Sequence, residues 1–264
     1  MEVKRNRKKE RLLYLATAAV MLLPILLPLP LPTLAPSHGV KEFHYAVDSL
    51  PNGAPILISL DIPPAFNPEL KPLAVALCRH AFRKKLRVIG VTLNYIAIGS
   101  AQDVLTEAAA LENAVYGRDY AYLGWNPGEV AVVTGMGLSI KSVFARDSAG
   151  TPLDNIPALS GVYSLRDVAL VAQIGAGFQS FPPWIAYATD KLDKKAVIGC
   201  NAGAEPTLRP FFSSGQLTGL IASTRGAAEY EGMLGVRGGA GSCLNAISFA
   251  QLGLCLLMLA ALFL

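Results

Sequence analysis

The sequence predicts an α/β fold: a doubly wound, mostly parallel sheet in a Rossmann-like three-layer sandwich, flanked by N- and C-terminal transmembrane helices. Three observations predict it. Uncharged apolar segments occupy both ends, short apolar strands alternate with longer helical stretches between them, and the strands are apolar almost without interruption. Such strands need cover on both faces, which helices on both sides of a parallel sheet provide.

The excess of apolar residues lies at the two ends of the chain. Charged residues make up only 16% of the sequence, whereas about a quarter of the residues of a soluble domain are charged. Residues 12–32 and 243–264 contain no charge, and each is as long as the ~20 residues that cross a hydrocarbon core. We therefore expect two transmembrane helices at these positions and a lipid membrane as a partner.

The net charge of +4 comes from the residues that precede the first apolar segment. Six of the 23 basic and two of the 19 acidic residues lie in residues 1–11, so the rest of the chain carries 17 of each. A basic flank stays in the cytoplasm, which predicts a cytoplasmic tail at 1–11, a two-pass protein of the cell membrane and an extracytoplasmic central domain. A neutral domain predicts no nucleic-acid partner. A cleaved signal peptide remains an alternative for the first segment.

The C-terminal segment carries polar residues at helical spacing. They recur at intervals of three, three and four residues, which places them on one helix face: Asn245, Ser248, Gln251 and Cys255. Polar side chains in a bilayer usually face protein, so this face predicts a helix partner, either the first segment or another copy of the chain. Alternatively, these residues have no partner, because a membrane helix tolerates weakly polar residues near its start.

The central domain is expected to span residues 45–237, after a linker at 33–44. Strands are expected at 56–60, 87–93, 120–124, 168–174 and 196–200, with a short additional strand at 129–134. Helices are expected at 67–84, from Ser100 to about residue 117, after Ser180, and once or twice within 208–234. The alternation predicts βαβ units and one core of a size that about 200 residues can bury.

The expected ligand crevice lies beyond the carboxyl ends of the strands, as in other doubly wound sheets. Asp61 follows a buried strand and precedes a helix, so it suits a metal ligand, a general base or an organiser of its own proline-rich turn. The same positional rule nominates the following set: Asp61, Asn94, Trp125, Asn126, Gln173, Gly175, Gly177, Asn201 and Glu205.

Recognisable cofactor and catalytic motifs are not found in the sequence. The glycine runs at 134–139 and 174–180 lack the third glycine of a dinucleotide fingerprint, and neither follows the first strand; an anion at the second run remains open. No nucleophile elbow, Walker loop or zinc helix occurs. We expect no cofactor and no metal. His38, His44 and His80 are expected to be solvated, and Cys78 and Cys200 to be free thiols.

Four segments of the sequence together carry a resemblance to a known family: DIPPAFNPELKPLAVALCRH, GRDYAYLGWNPGEVAVVTGMG, GTPLDNIP and SGQLTGLIASTRGAAEYE. Together they resemble an uncharacterised membrane-anchored α/β family of archaea and bacteria that has no established activity, over Tyr45 to Leu234. The architecture is more distantly similar to the extracytoplasmic domains of auxiliary subunits in ABC-type and gliding-associated transport systems. The resemblance implies a membrane-anchored α/β domain and supplies no catalytic residues.

Two functions follow from these expectations. The first is a non-enzymatic binding or scaffolding module in a membrane assembly, with a protein partner or a second copy held through the transmembrane helices. The alternative is a hydrolase or transferase that uses Asp61 together with Asn126, Asn201 or Glu205 in the crevice at the strand ends.

Overall fold

A computed structural model describes residues 7–26, 35–177, 180–236 and 238–261. Its centre is a six-stranded, all-parallel sheet in the order β3-β2-β1-β4-β5-β6. This order is that of a doubly wound sheet. The strands are β1 Pro55–Asp61, β2 Arg87–Thr92, β3 Tyr120–Trp125, β4 Leu170–Gly175, β5 Ala196–Cys200 and β6 Gly219–Ala222.

Helices cover both faces of the sheet. One core cluster lies under α2, α3, α4 and α9, and a second lies on the other face under α5 to α8. The helices are α1 Arg7–Leu26, α2 His38–Asp48, α3 Asn67–Arg83, α4 Ile98–Glu112, α5 Glu129–Leu138, α6 Ile140–Val143, α7 Phe181–Pro183, which continues as a π-helix over Trp184–Lys191, α8 Glu205–Ser213, α9 Ser223–Met233 and α10 Gly239–Ala261.

One predicted strand is a helix, and one strand was not predicted. Residues 129–134, expected as a strand, begin α5, because Val132, Val133 and Met136 bury one face at helical spacing. The stretch 208–234, expected to hold one or two helices, contains most of α8 and all of α9, and between them the edge strand β6. Gly219 fits there because α2 crosses closely: a β-carbon on it would lie 2.4 Å from the Cα of Phe43.

The linker expected at 33–44 is in part a helix. From His38 onward the chain forms α2, which buries Val40, Phe43 and Val47 on one face against β6 and α9. The α/β domain therefore begins several residues before the predicted boundary at Tyr45. Residues 33 and 34 lie outside the described residues.

One helix in the described part of the chain is long and apolar enough to cross a membrane, the 21 residues Gly239–Leu259 of α10. The apolar part of α1 is shorter, Leu13–Pro24. Of the two predicted spans, residues 27–32 and 262–264 lie outside the described residues. The two helices pack side by side: a β-carbon on Gly253 of α10 would lie 2.4 Å from a methyl group of Val20 on α1.

Candidate functional site

The switch point of the sheet lies between β1 and β4. These two strands are neighbours in space although two strands separate them in the chain, and Asp61 at the end of β1 pairs with Gly175 at the end of β4. Connections on either side of such a point leave in opposite directions and open a crevice beyond the carboxyl ends. The residues predicted from the sequence follow strands on both sides of this point.

Asp61 is fully buried at the switch point and accepts four hydrogen bonds. Its Oδ1 accepts from the Thr92 hydroxyl at 3.0 Å and from the Leu93 amide at 2.6 Å. Its Oδ2 accepts from the Ser59 hydroxyl at 2.8 Å and from Nε2 of Gln173 at 3.0 Å. These donors belong to β1, β2, β4 and the residue that follows β2, so one carboxyl group connects three adjacent strands.

This environment makes Asp61 an organiser of the strand ends. Burial raises the pKa of its carboxyl group, and the four donors oppose that rise by stabilising the ionised form. Both oxygens are engaged and the side chain does not reach solvent, whereas a general base must come within hydrogen-bond reach of its substrate. The donors come from β1 itself, from the two neighbouring strands and from the residue after β2, not from the proline-rich turn that follows Asp61.

The loop after β4 is packed tightly against this carboxyl group. A β-carbon on Gly175 would lie 3.1 Å from the Ser180 hydroxyl and 3.2 Å from the β-carbon of Asp61. Gly177 has a φ of +78°, and its amide donates to Oδ1 of Asn201 at 3.3 Å. The loop thereby joins the end of β4 to the end of β5. Residues 178 and 179 lie outside the described residues.

Unpartnered polar atoms gather on the β4 side of the switch point. Among the described residues, four buried side-chain atoms have no hydrogen-bond partner, and three of them lie on β4 or the segment after residue 179: Oε1 of Gln173, Oγ of Ser180 and Nε1 of Trp184. Buried polar atoms are nearly always paired with protein, water or ligand. Gln173 and Ser180 are therefore the side chains of this cluster that keep hydrogen-bonding capacity for a polar ligand, although both atoms are buried in this structure.

The candidates on the other side of the switch point bond to backbone. Oδ1 of Asn94 accepts from the amide of Ile96, and Nδ2 of Asn126 donates to a carbonyl in α6. The indole of Trp125 donates to the carbonyl of Leu93 at 3.2 Å, and the amide of Leu93 is itself a partner of Asp61. Trp125 thus supports the Asp61 cluster from outside.

Glu205 lies apart from the Asp61 cluster. Its carboxylate pairs with Arg209 one turn further along α8. It lines a separate cavity of about 520 Å³ at the open edge of β6, together with groups from α2 and α9 such as His38, Arg225 and Glu229. The structure therefore brings together Asp61, Gln173, Gly175, Gly177 and Asn201, and leaves Glu205 outside this group.

Ser59, Thr92 and Ser180 belong to the cluster and were not nominated from the sequence. Ser59 and Thr92 were visible as polar residues inside otherwise apolar strands, which is the pattern expected of side chains that serve a buried polar group. Ser180 was expected only to precede a helix, and its side chain makes no capping hydrogen bond.

His80 is buried, which corrects the expectation that it is solvated. Its ring stacks on His44 at 4.6 Å, Nδ1 lies 2.7 Å from the Tyr230 hydroxyl, and Nε2 lies 3.4 Å from a carboxylate oxygen of Asp48. Burial, with His44 beside it, lowers the pKa of His80 to about 4. Cys78 and Cys200 are free and buried, as the sequence predicted.

The polar residues of α10 differ in exposure. Asn245 and Ser248 are partly buried, whereas Gln251 and Cys255 are exposed. Gly253, which meets α1, lies two residues from Gln251, and two residues correspond to about 200° around a helix. The packing of α1 on α10 therefore leaves Gln251 on the opposite side of the helix.

Fold and site together define a class: a doubly wound α/β protein with a six-stranded parallel sheet, a buried aspartate network at the switch point and one helix apolar enough to cross a membrane. No protein-family model matches the chain, and no curated protein sequence is significantly similar to it.

Proposed function

We propose that the chain is a two-pass membrane protein whose α/β domain lies outside the cytoplasm and acts as a non-enzymatic binding module in a membrane assembly, such as one associated with transport. One observation carries the choice of binding over catalysis: the carboxyl group nominated for chemistry, Asp61, is fully buried with both oxygens occupied by four donors. The crevice consequently offers amides, a hydroxyl group and backbone instead of a free acid or base.

The groups around the crevice favour an uncharged polar ligand. Gln173 offers a free acceptor, Ser180 offers a hydroxyl group that can donate or accept, and Asn201 holds the loop between them. A ligand rich in hydroxyl or amide groups satisfies such atoms, whereas a charged ligand would meet no opposite charge among them. Hydroxylated solutes and short peptide segments without charged termini are the ligand classes proposed.

The membrane placement is supported by the two terminal helices. α1 and α10 lie side by side, and the domain is connected to both, so a hairpin of the two helices would hold it against one face of a bilayer. The basic residues before the first apolar segment favour a cytoplasmic N-terminus. One crossing by the first segment then puts the domain on the outer side, and α10 returns the chain to the cytoplasmic side.

Alkaline carbonate extraction and surface labelling test this placement. The full chain is expected in the membrane pellet. The exposed Tyr163 is replaced in the variant Tyr163→Cys, made with Cys243→Ser and Cys255→Ser, and is expected to react with an impermeant maleimide on intact cells. Release of the intact chain into the carbonate supernatant, or labelling only in inverted vesicles, contradicts the placement.

Thermal shift of the detergent-solubilised chain tests binding against catalysis. The probes are monosaccharides and di- and tripeptides with acetylated and amidated termini, with nitrophenyl esters and phosphates as generic substrates. We expect a stabilising solute whose effect is lost in Ser180→Ala and kept in the matched variant Ser160→Ala, which lies at the opposite end of the sheet. Turnover of a nitrophenyl substrate that disappears in Asp61→Asn would instead support the hydrolase alternative.

A further inference from the structure

A cavity of about 520 Å³ lies at the open edge of β6. Its wall is formed by the start of α2, by α8, by the end of β6 and by α9 as far as Glu229, and none of the described residues that line it belongs to the Asp61 cluster. The volume is within the range of ~300–1,000 Å³ that small-molecule sites occupy. The cavity is therefore large enough for a ligand of its own, separate from the crevice at the switch point.

Two arginines from different helices line this cavity. The side chain of Arg209 on α8 is 64% exposed, and that of Arg225 on α9 is 70% exposed. Each pairs with a glutamate one turn away on its own helix: Nη2 of Arg209 with Glu205, and Nε of Arg225 with Glu229 at 3.1 Å. Neither guanidinium group makes a further hydrogen bond to the described part of the chain, so each keeps several N–H donors for a ligand.

Glu229 holds Arg225 in place from below. Its side chain is only 3% exposed. Oε1 accepts from Nε of Arg225, and Oε2 accepts from the amide of Ser37 at 2.9 Å. Both carboxylate oxygens are thus engaged within the protein, and both terminal nitrogens of Arg225 remain available. Two such nitrogens form the planar fork that binds a carboxylate or a phosphate group through two parallel hydrogen bonds.

Three helix starts add positive charge around the cavity. The formal charges of its two arginines and two glutamates cancel, but α2, α8 and α9 all begin in its wall. None of these three helices is capped by the side chain of its N-cap residue, and a helix start carries roughly half a positive charge. Arg225 lies in the first turn of α9, where the helix dipole disfavours a cation. An anion beside Arg225 would therefore be stabilised by the arginine and by the helix starts together.

Part of the wall is apolar. Val40 and Leu220 are buried, and Phe212 is partly buried with its ring centroid 5.6 Å from that of His38. The cavity is also far larger than the ~30 Å³ that one water molecule occupies, so an inorganic ion would leave most of it unfilled. The lining suits a ligand that carries an oxyanion at one end and an apolar body at the other.

We propose that this cavity binds a small organic anion, whose carboxylate or phosphate group is held by Arg209 and Arg225 and whose apolar part lies against Phe212. The inference goes beyond the proposed function, because it adds a second site of different ligand chemistry at another edge of the sheet. It does not depend on the membrane placement, since every group that it uses belongs to the α/β domain.

Isothermal titration calorimetry of the full chain in detergent tests this site. The probes are acetate and inorganic phosphate, which carry only the oxyanion, and phenylacetate and phenyl phosphate, which add an apolar ring; the ionic strength is held constant. We expect saturable binding of one equivalent of phenylacetate or phenyl phosphate, tighter than that of the matching probe without the ring. The tighter of the two shows whether the arginines receive a carboxylate or a phosphate group.

Replacement of the lining residues should weaken this binding in different ways. Arg209→Gln and Arg225→Gln should each raise the Kd of the ring-bearing probe on the order of tenfold, because each removes charged donors to the oxyanion. Phe212→Ala should abolish the advantage of the ring and leave acetate and phosphate unaffected. The matched control is Arg118→Gln, which replaces an arginine that also pairs with a carboxylate and is 66% exposed; its affinity should equal that of wild type.

Two of the variants keep the test independent of folding. Glu205 is 33% exposed, so Arg209→Gln leaves no fully buried charge without a partner. Arg225→Lys keeps a cation beside the buried Glu229 but loses the planar fork, so it should fold and bind more weakly than wild type. Failure of all four probes to bind at millimolar concentration overturns the proposal. So does equal affinity in wild type, Arg209→Gln and Arg225→Lys, or an equal loss in Arg118→Gln.

Discussion

Nε2 of Gln173 on β4 donates to Oδ2 of Asp61 on β1 across 3.0 Å, directly at the point where the strand order of the sheet reverses. The same nitrogen donates to the Ser180 carbonyl at 2.8 Å. One buried amide therefore joins the first strand, the fourth strand and the segment that follows the glycine loop. This bond fixes the carboxyl ends of β1 and β4 relative to each other at the switch point.

Replacement of Asp61 should destabilise the domain strongly. Asp61→Ala removes the shared acceptor of four buried hydrogen bonds. The Thr92 hydroxyl can still donate to the Asn94 carbonyl and Nε2 of Gln173 to the Ser180 carbonyl, whereas the Leu93 amide loses its acceptor. An unpaired buried donor costs about 1–3 kcal/mol, so we expect a loss of at least that size. Asp61→Asn keeps the volume and one acceptor and should cost less. Thermal unfolding of the full chain in detergent measures both, with the exposed Asp103→Ala as the matched control. Equal melting temperatures for Asp61→Ala and Asp103→Ala contradict the organising role.

His80 should make stability depend on pH below neutrality. Its pKa is about 4 in the folded protein, below the 6.5 of an unperturbed histidine, so the unfolded chain binds more protons between these values. The stabilisation from neutral His80 is complete above pH 6.5 and is lost as the pH falls towards 4. The difference of about 2.5 pH units corresponds to about 3 kcal/mol.

Unfolding of wild type and His80→Gln across pH 4 to 7.5 measures this contribution. The difference between the two curves should shrink as the pH falls, and it isolates His80 from Asp61 and Glu231, whose raised pKa values give the opposite slope. His38→Gln, at an exposed histidine, should run parallel to wild type. A difference independent of pH would show that His80 contributes through packing alone.

Glu231 should anchor the start of α10 to the domain. Its buried carboxyl group accepts hydrogen bonds from the amides of Ala240 at 3.1 Å and Gly241 at 2.8 Å. Amides in the first turn of a helix have no carbonyl partner within the helix, so a side chain can cap them. Gly238 permits the approach, because a β-carbon there would overlap the Glu231 carboxyl group. Loss of a helix cap costs about 1 kcal/mol.

Hydrogen exchange of the full chain in detergent measures this anchor. In Glu231→Ala the amides at the start of α10 should exchange about fivefold faster, as expected for about 1 kcal/mol, whereas Glu231→Gln keeps an acceptor and should change them less. Glu42→Ala, on the exposed side of α2, is the control. Unchanged exchange in Glu231→Ala would mean that packing alone fixes the helix start.

Much of the sheet could be predicted from the sequence, because five strands are continuous apolar runs that only a doubly covered sheet accommodates. The short edge strand β6 could not be: its four residues, Gly219–Ala222, become a strand by pairing with β5, and nothing local signals that pairing. Residues 129–134 were predicted as a strand because valines favour strands. The buried face that Val132 and Val133 share with Met136 has the period of a helix.

The sequence predicted which residues lie at the strand ends, but not which side chains form hydrogen bonds with one another. The rule about strand ends located Asp61, Gln173 and Gly175 because topology alone brings them together. The roles of Ser59 and Thr92 depend on which side chains meet across strands, and that follows from the register, which the sequence does not contain. His80 was misread for a related reason: Tyr230, which lies against it, is 150 residues away in the chain.

The contact between Gly253 and Val20 should decide whether α1 stays on α10. Gly253→Ala places a methyl group where a β-carbon would lie 2.4 Å from Val20 Cγ1, so the helices must separate and lose packing, which is the main attraction between helices in lipid. Val20→Ala removes the obstructing methyl groups, and the double variant should recover much of the loss. Melting temperatures of the wild type, both single variants and the double variant in detergent form the cycle. Additive single effects would contradict this contact, whereas recovery in the double variant means that the lack of a side chain at Gly253 is what lets α1 approach α10 closely.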